Sequence, residues 1–179
     1  LSIITQESNL GKNVGTCNRP GDPASKSYKL MMPGPVQKAA GKSSRDDQTI
    51  FLEITKSVGR DPETTPISCR IGSVGWGGAM GPAQFIPTTW KYIIDVAKDD
   101  HGLTISDPWN PRDAFLASAV YLTKLGANGV YSKERNAACR YYSGRSCDSR
   151  KPANTFYGNE VMARAKSIQS NMIDPLENL

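Results

Sequence analysis

Residues 111–126, PRDAFLASAVYLTKLG, carry apolar side chains nearly all the way round a helical projection, and this constrains the fold more than any other stretch. A helix without a polar face has to be surrounded, so the rest of the chain is expected to supply the helices that cover it. Asn110 followed by Pro111 gives it a strong start, because proline at the first helical position lacks an N–H that would be unpaired there anyway, and Gly126 ends it. Strand signals are nearly absent along the whole chain. The expected class is all-α, in one domain, since 179 residues suffice for a substantial core and are short for two.

The other helices follow from their caps and periodicity. LSIITQESNLG, residues 1–11, reads as a mostly apolar helix closed by Gly11; it opens without an initiator methionine or leader, as a truncation would, so a signal or anchor is expected upstream. Asp47 is placed to cap a helix with Phe51, Ile54 and Val58 on one face, ending at Gly59. Thr88 or Thr89 caps another through Trp90, Ile93, Ile94 and Ala97. Ser132 caps KERNAACRYYSG up to Gly144, and Thr155 caps a last amphipathic segment through Tyr157, Val161, Met162, Ala165 and Ile168. Between them, residues 18–47 show neither helical nor strand periodicity and are expected to be a long loop, either a stapled lid or a solvated insertion.

Residues 72–90, GSVGWGGAMGPAQFIPTTW, are unlike the rest. Gly75, Gly77, Gly78 and Gly81 leave room for close backbone approach or positive φ, with Trp76, Met80 and Phe85 among them. Two readings stand side by side: a tight packing turn, and the wall of a sugar-binding groove, since sugar rings present apolar C–H faces to aromatic rings. There is no GxxxxGK[ST] pattern, so it is not a phosphate loop.

A net charge of +5 and a pI near 9.0 suit a polyanionic partner such as cell-wall polymer, anionic lipid or nucleic acid. Nucleic acid fits poorly, because Lys26, Lys29, Lys38, Lys42 and Arg45 fall in the loop rather than along a recognition helix. No apolar run approaches the length of a membrane span. Cys17, Cys69, Cys139 and Cys147 lack metal-ligand spacing. Disulfides are the preferred reading over four reduced thiols; Cys139 with Cys147 would close a short loop and Cys17 with Cys69 a long one, implying an oxidising, extracytoplasmic setting. With His101 the sole histidine and no calcium-loop spacing in DVAKDDHG, neither a metal nor another cofactor is expected. Glu7, at the far end of the first helix, is a carboxyl on the rim of an apolar element, where desolvation of the ionised form is expected to raise its pKa toward that of a general acid.

Taken together, ES at 7–8, GGAMGPAQFIPTTW at 77–90, DPWNPRDAFLASAVYL at 107–122, AACRYYSG at 137–144 and FYGNEVMARA at 156–165 resemble the lytic murein transglycosylases, most closely the B type, within the lysozyme-like α fold. The resemblance implies that Glu7 is the sole catalytic acid and base, supported by Ser8. It implies that Gln84 lies on the substrate groove, with Met80, Phe85 and Ile86 lining subsites beside Trp76. Tyr141 corresponds to the tyrosine of the family's AYN-type motif, and Tyr157 to a later aromatic packed toward the glutamate. The asparagine that usually follows that tyrosine is Tyr142 here, so its hold on the sugar is either lost or taken over by Tyr142 or an unrelated residue. The serine that some members place before GAMG is displaced, with Ser73 the available substitute.

The implied partner is the glycan strand of peptidoglycan, handled by a monomer without nucleic acid. The implied reaction is cleavage of the bond between N-acetylmuramic acid and N-acetylglucosamine by the substrate's own C6 hydroxyl, giving a 1,6-anhydromuramoyl end. One carboxylate suffices for this, where hydrolysis ordinarily needs two. The rival readings are a hydrolytic muramidase using Asp22 or Asp107 as second acid, and a non-catalytic wall-binding domain.

Overall fold

The computed structural model describes every residue except Ser73, Val74, Arg150, Lys151, Asn178 and Leu179, and omits the side chains of Pro152 and Ala153. Its regular structure is helical: α1 Ser2–Ser8, a 3-10 turn Ala24–Lys26, α2 Tyr28–Met31, α3 Pro35–Ala39 and α4 Asp47–Ser57. There follow α5 Pro87–His101, α6 Pro111–Lys124, α7 Tyr131–Ser143 and α8 Pro152–Ile168, which runs through a π-helical stretch Gln169–Ile173 into α9, Asp174–Glu177. Among the described residues β structure is confined to isolated bridges joining Cys17 to Ile67, Ile67 to Met80 and Met80 to Phe85. The class is all-α with long connections. No helix among the described residues is long and apolar enough to cross a membrane.

The chain divides into two compact units, Glu7–Ala117 and Leu1–Gln6 with Ser118–Leu179. In the first, Phe51 of α4 is fully buried between the rings of Tyr28 (centroids 5.2 Å apart) and Trp109 (6.3 Å). Trp90 of α5 is fully buried too, with Phe85 at 6.1 Å. Burying such rings stabilises by about 1.5–3 kcal/mol each. The disulfide Cys17–Cys69 spans 52 positions. Beside it Asn18, 2% exposed, donates to the carbonyls of Pro62 and Thr65 at 2.8 Å and accepts from the Tyr28 N–H at 2.9 Å.

In the second unit α7 and α8 pack on one another, with Ile3, Ala138, Tyr157 and Val161 buried together and Leu122 and Tyr141 packed against them. The Cys139–Cys147 disulfide ties α7 to the turn that follows it, over a separation of eight residues. At the chain's start Ser2 Oγ donates to the Val161 carbonyl at 2.5 Å, and Arg164 donates to Gln6 Oε1 at 3.1 Å.

Several expectations are corrected. Residues 18–47 are not structureless: the 3-10 turn, α2 and α3 lie here, and Tyr28, Met31, Met32 and Pro33 are buried. These helices are too short for periodicity to register. α1 stops at Ser8 rather than Gly11, because Asn9 (φ 52°), Leu10 (φ 58°) and Gly11 (φ 85°) turn left-handed. Asp46, not Asp47, caps α4 by accepting from Thr49 N at 3.1 Å.

Neither Thr88 nor Thr89 caps α5, which opens on Pro87; Thr88 gives its N–H to Asp47 at 3.1 Å, so α4 supplies an acceptor for the first turn of α5. The Thr88 hydroxyl bonds Asp47 as well, and Arg45 Nε lies 3.2 Å from the same carboxylate. α7 opens on Tyr131 and α8 on Pro152, so Ser132 and Thr155 lie inside their helices, and Thr155 Oγ1 donates to the Cys147 carbonyl at 2.8 Å. α6 is less enclosed than its composition implies: Asp113, Ala114, Ala117, Ser118 and Val120 are buried, whereas Arg112, Ala119 and Thr123 form an exposed stripe.

Candidate active site

Within the unit Glu7–Ala117, Glu7 is half-buried in the last turn of α1. The next residue, Ser8, is 2% exposed, and its Oγ accepts from the Gly11 N–H at 2.8 Å while its carbonyl accepts from Asn13 N at 2.9 Å. These two bonds tie down the left-handed turn that ends the helix. Gly11 then lies against Pro82: a Cβ built on it would sit 3.2 Å from Pro82 Cγ. The turn behind Glu7 is thereby docked on the glycine-rich segment.

That segment is held by close backbone approach. Gly77 donates to the Met31 carbonyl at 2.8 Å, and a Cβ there would sit 2.5 Å from the Ser68 carbonyl oxygen. At Gly78 (φ +90°) a Cβ would meet Met32 Cβ at 2.8 Å, and at Gly81 (φ +62°) it would run into the Pro108 carbonyl oxygen. Met80 N donates to Phe85 O at 2.9 Å, and Ser68 N to Ala79 O at 2.9 Å. The glycines therefore serve packing.

The expected groove wall is corrected in part. Met80 (0% exposed) and Phe85 (3%) are core residues and offer no face to a ligand; they support the turn from beneath. Trp76 is half-buried with the Arg70 guanidinium 4.3 Å from its ring, so one of its faces is taken. Ile86 is half-buried. Ser73 lies outside the described residues. Gln84 is half-buried at φ +53°, an unusual conformation for a non-glycine residue. Its backbone N–H (3.2 Å) and side-chain Nε2 (2.8 Å) both donate to the Gly81 carbonyl. Gln84 thus has a packing purpose, and its Oε1 is left without a hydrogen-bond donor among the described residues.

Three other carboxylates of the unit are bonded to neighbouring groups. Asp22 accepts from Arg19 N at 2.9 Å and lies 3.5 Å from Lys26 Nζ; that backbone bond, with Lys26 and Arg19, holds its carboxyl below the usual range. Asp107 pairs with Arg60 at 3.3 Å and accepts from Trp109 N at 2.8 Å. Asp113 accepts from Ser106 N (2.9 Å) and Asp107 N (3.0 Å). Asp47, Asn18 and the Gly11–Pro82 contact were not recognisable as anchors in the sequence.

In the unit containing α7 and α8 the tyrosines form a separate group. Tyr141 is half-buried, edge-on to Tyr121 (centroids 5.5 Å apart), with its hydroxyl 3.3 Å from Ser118 Oγ. Tyr142 stacks on Tyr157 at 4.8 Å.

The family described as Transglycosylase SLT domain matches residues 1–174. No curated protein sequence matches the chain. Among solved structures, the Escherichia coli lytic transglycosylase SLT35, in complex with bulgecin A or with calcium, is 24% identical with a TM-score of 0.46; the match covers 71% of this chain and 35% of that one. The soluble lytic transglycosylase SltB1 from Pseudomonas aeruginosa is 22% identical with a TM-score of 0.45, over 72% of this chain and 38% of that one. The chain thus spans between a third and two fifths of the length of these relatives.

Proposed function

The chain belongs to the transglycosylase SLT family, and from that premise we propose that it is the catalytic domain of a peptidoglycan lytic transglycosylase with Glu7 as acid and then base. Protonated Glu7 delivers its proton to the oxygen bridging N-acetylmuramic acid and N-acetylglucosamine as the bond to the anomeric carbon breaks. The muramic acid O6 bonds to that carbon, and its proton passes to the ionised Glu7. No water is consumed, and the glutamate is restored to its starting state. Holding the nucleophile within the same sugar ring lowers the entropic barrier.

The observation that carries this reading is the docking of the turn behind Glu7, through Ser8 and Gly11, onto Pro82 of the glycine-rich segment. The side-chain N–H of Gln84 is engaged by the Gly81 carbonyl, and its Oε1 remains as an acceptor for a sugar hydroxyl or acetamide N–H. The hydrolytic alternative is disfavoured because Asp22 and Asp107 are both bound up with neighbouring cations and backbone donors. The disulfides fit an extracytoplasmic location, where the substrate lies.

Replacing the acid tests the proposal. Glu7→Gln is expected to abolish turnover of purified peptidoglycan, a loss of about a thousandfold or more as for removal of an essential acid–base group, while sedimentation with sacculi persists. Unchanged turnover in Glu7→Gln would remove the carboxylate from the mechanism.

A further inference from the structure

The rings of Tyr142 and Tyr157 lie within 17° of parallel with centroids 4.8 Å apart. The two are unequal: Tyr157 is 6% exposed within the α7–α8 cluster, whereas Tyr142 is 53% exposed. Among the described residues the Tyr142 hydroxyl has no hydrogen-bond partner, so the stack is what orients the side chain. One face of Tyr142 is backed by a buried ring, and about half of the residue's surface is open to water. Neither Tyr141 nor Trp76 has that arrangement. The Tyr141 ring is half-buried against Tyr121 with its hydroxyl at Ser118, and Trp76 has a guanidinium over one face.

We propose that Tyr142 is a carbohydrate-stacking platform, taking the apolar C–H face of a pyranose ring on its open face while Tyr157 fixes it from behind. The inference rests on the glycan reading above and adds to it a named contact and its chemistry. A π face carries partial negative charge, and the axial C–H groups of a β-linked hexopyranose, polarised by neighbouring oxygens, meet it with partial positive charge. Because the ring is already held by Tyr157, little side-chain entropy is lost on binding. The contact is made by area and polarisability rather than by hydrogen bonding, so it reads the shape of the sugar ring and is indifferent to loss of the tyrosine hydroxyl.

The test is isothermal titration of a soluble β-1,4-linked N-acetylglucosamine tetramer into Glu7→Gln protein, with co-sedimentation on purified sacculi as a second binding measurement. Tyr142→Ala is expected to weaken binding about tenfold, the scale of one stacking contact, and Tyr142→Phe to stay within about twofold of the parent. Tyr131→Ala removes a somewhat more exposed ring (62%) at the other end of α7, about 17 Å along the axis, and is expected to change nothing. Thermal midpoints report whether Tyr142→Ala remains folded. Binding unaffected by Tyr142→Ala overturns the proposal, as does equal loss in Tyr142→Phe, or a parent that binds neither probe. Product chemistry of the unmutated protein is read separately: reducing termini would defeat the transglycosylase mechanism and leave the platform standing, whereas anhydro termini with tetramer binding indifferent to Tyr142 would defeat the platform alone.

Discussion

Residues 7–117 and the α7–α8 pair hold their functional side chains by different means. In the former, the helices are interrupted by long connections; the glycine-rich turn is fixed by close backbone contacts, and a buried asparagine and a disulfide hold the loops that precede it. In the latter, two adjacent helices bury a compact apolar cluster, and the disulfide merely ties α7 to the short turn that follows it. The comparison teaches that where regular structure is sparse, glycines and covalent links carry the geometry, and where helices pack, side chains do.

The sharpest way to break this comparison is a pair of glycine substitutions. Gly81 (φ +62°) and Gly144 (φ +70°) share a left-handed backbone, but a Cβ at Gly81 meets the Pro108 carbonyl whereas one at Gly144 meets open space. Gly81→Ala is expected to cost more than about 4 kcal/mol or prevent folding, and Gly144→Ala about 1 kcal/mol. Denaturant titration measures both; equal effects would mean that close approach is not what the glycine-rich turn requires.

Next in size are the disulfides. By loop-closure entropy, removing Cys17–Cys69 with paired serines costs about 4 kcal/mol and removing Cys139–Cys147 about 2.5 kcal/mol, from separations of 52 and 8 residues. The reverse order would show that the second unit depends on its covalent link more than its helix packing suggests.

The smallest effect concerns acid. Asp113 is 6% exposed; burial, the largest influence, pushes its carboxyl upward, but the N–H groups of Asp107 and Ser106 and the Arg112 guanidinium outweigh it and hold it below the usual range. A depressed folded pKa stabilises above the unfolded value and loses that contribution as the pH falls through the folded one. Between about pH 5 and 2, Asp113→Asn is therefore expected to lose stability less steeply than the unmutated protein. Parallel pH profiles by thermal melting would show that this helix start contributes no such linkage.

The all-α class, the Pro111 start and the glycine stops at Gly59 and Gly144 were legible because caps and periodicity are local signals. The burial of Met32 was less so, since it depends on residues far apart in sequence. The start of α5 was misplaced because its first-turn acceptor comes from another helix: Asp47 takes the N–H of Thr88, and Asp46 caps α4 in its place. In the candidate site, Glu7 and Gln84 stood out through motif resemblance. That Met80 and Phe85 face the core could not be read, because a glycine-rich segment has no fixed period from which to assign faces.

The most direct measurement is mass spectrometry of the sugar termini released from purified peptidoglycan. Muramoyl ends lighter by one water than their hydrolysed counterparts, absent with Glu7→Gln, are the predicted result. Reducing muramic acid ends in their place would contradict an intramolecular attack and with it the assignment of a single working carboxylate.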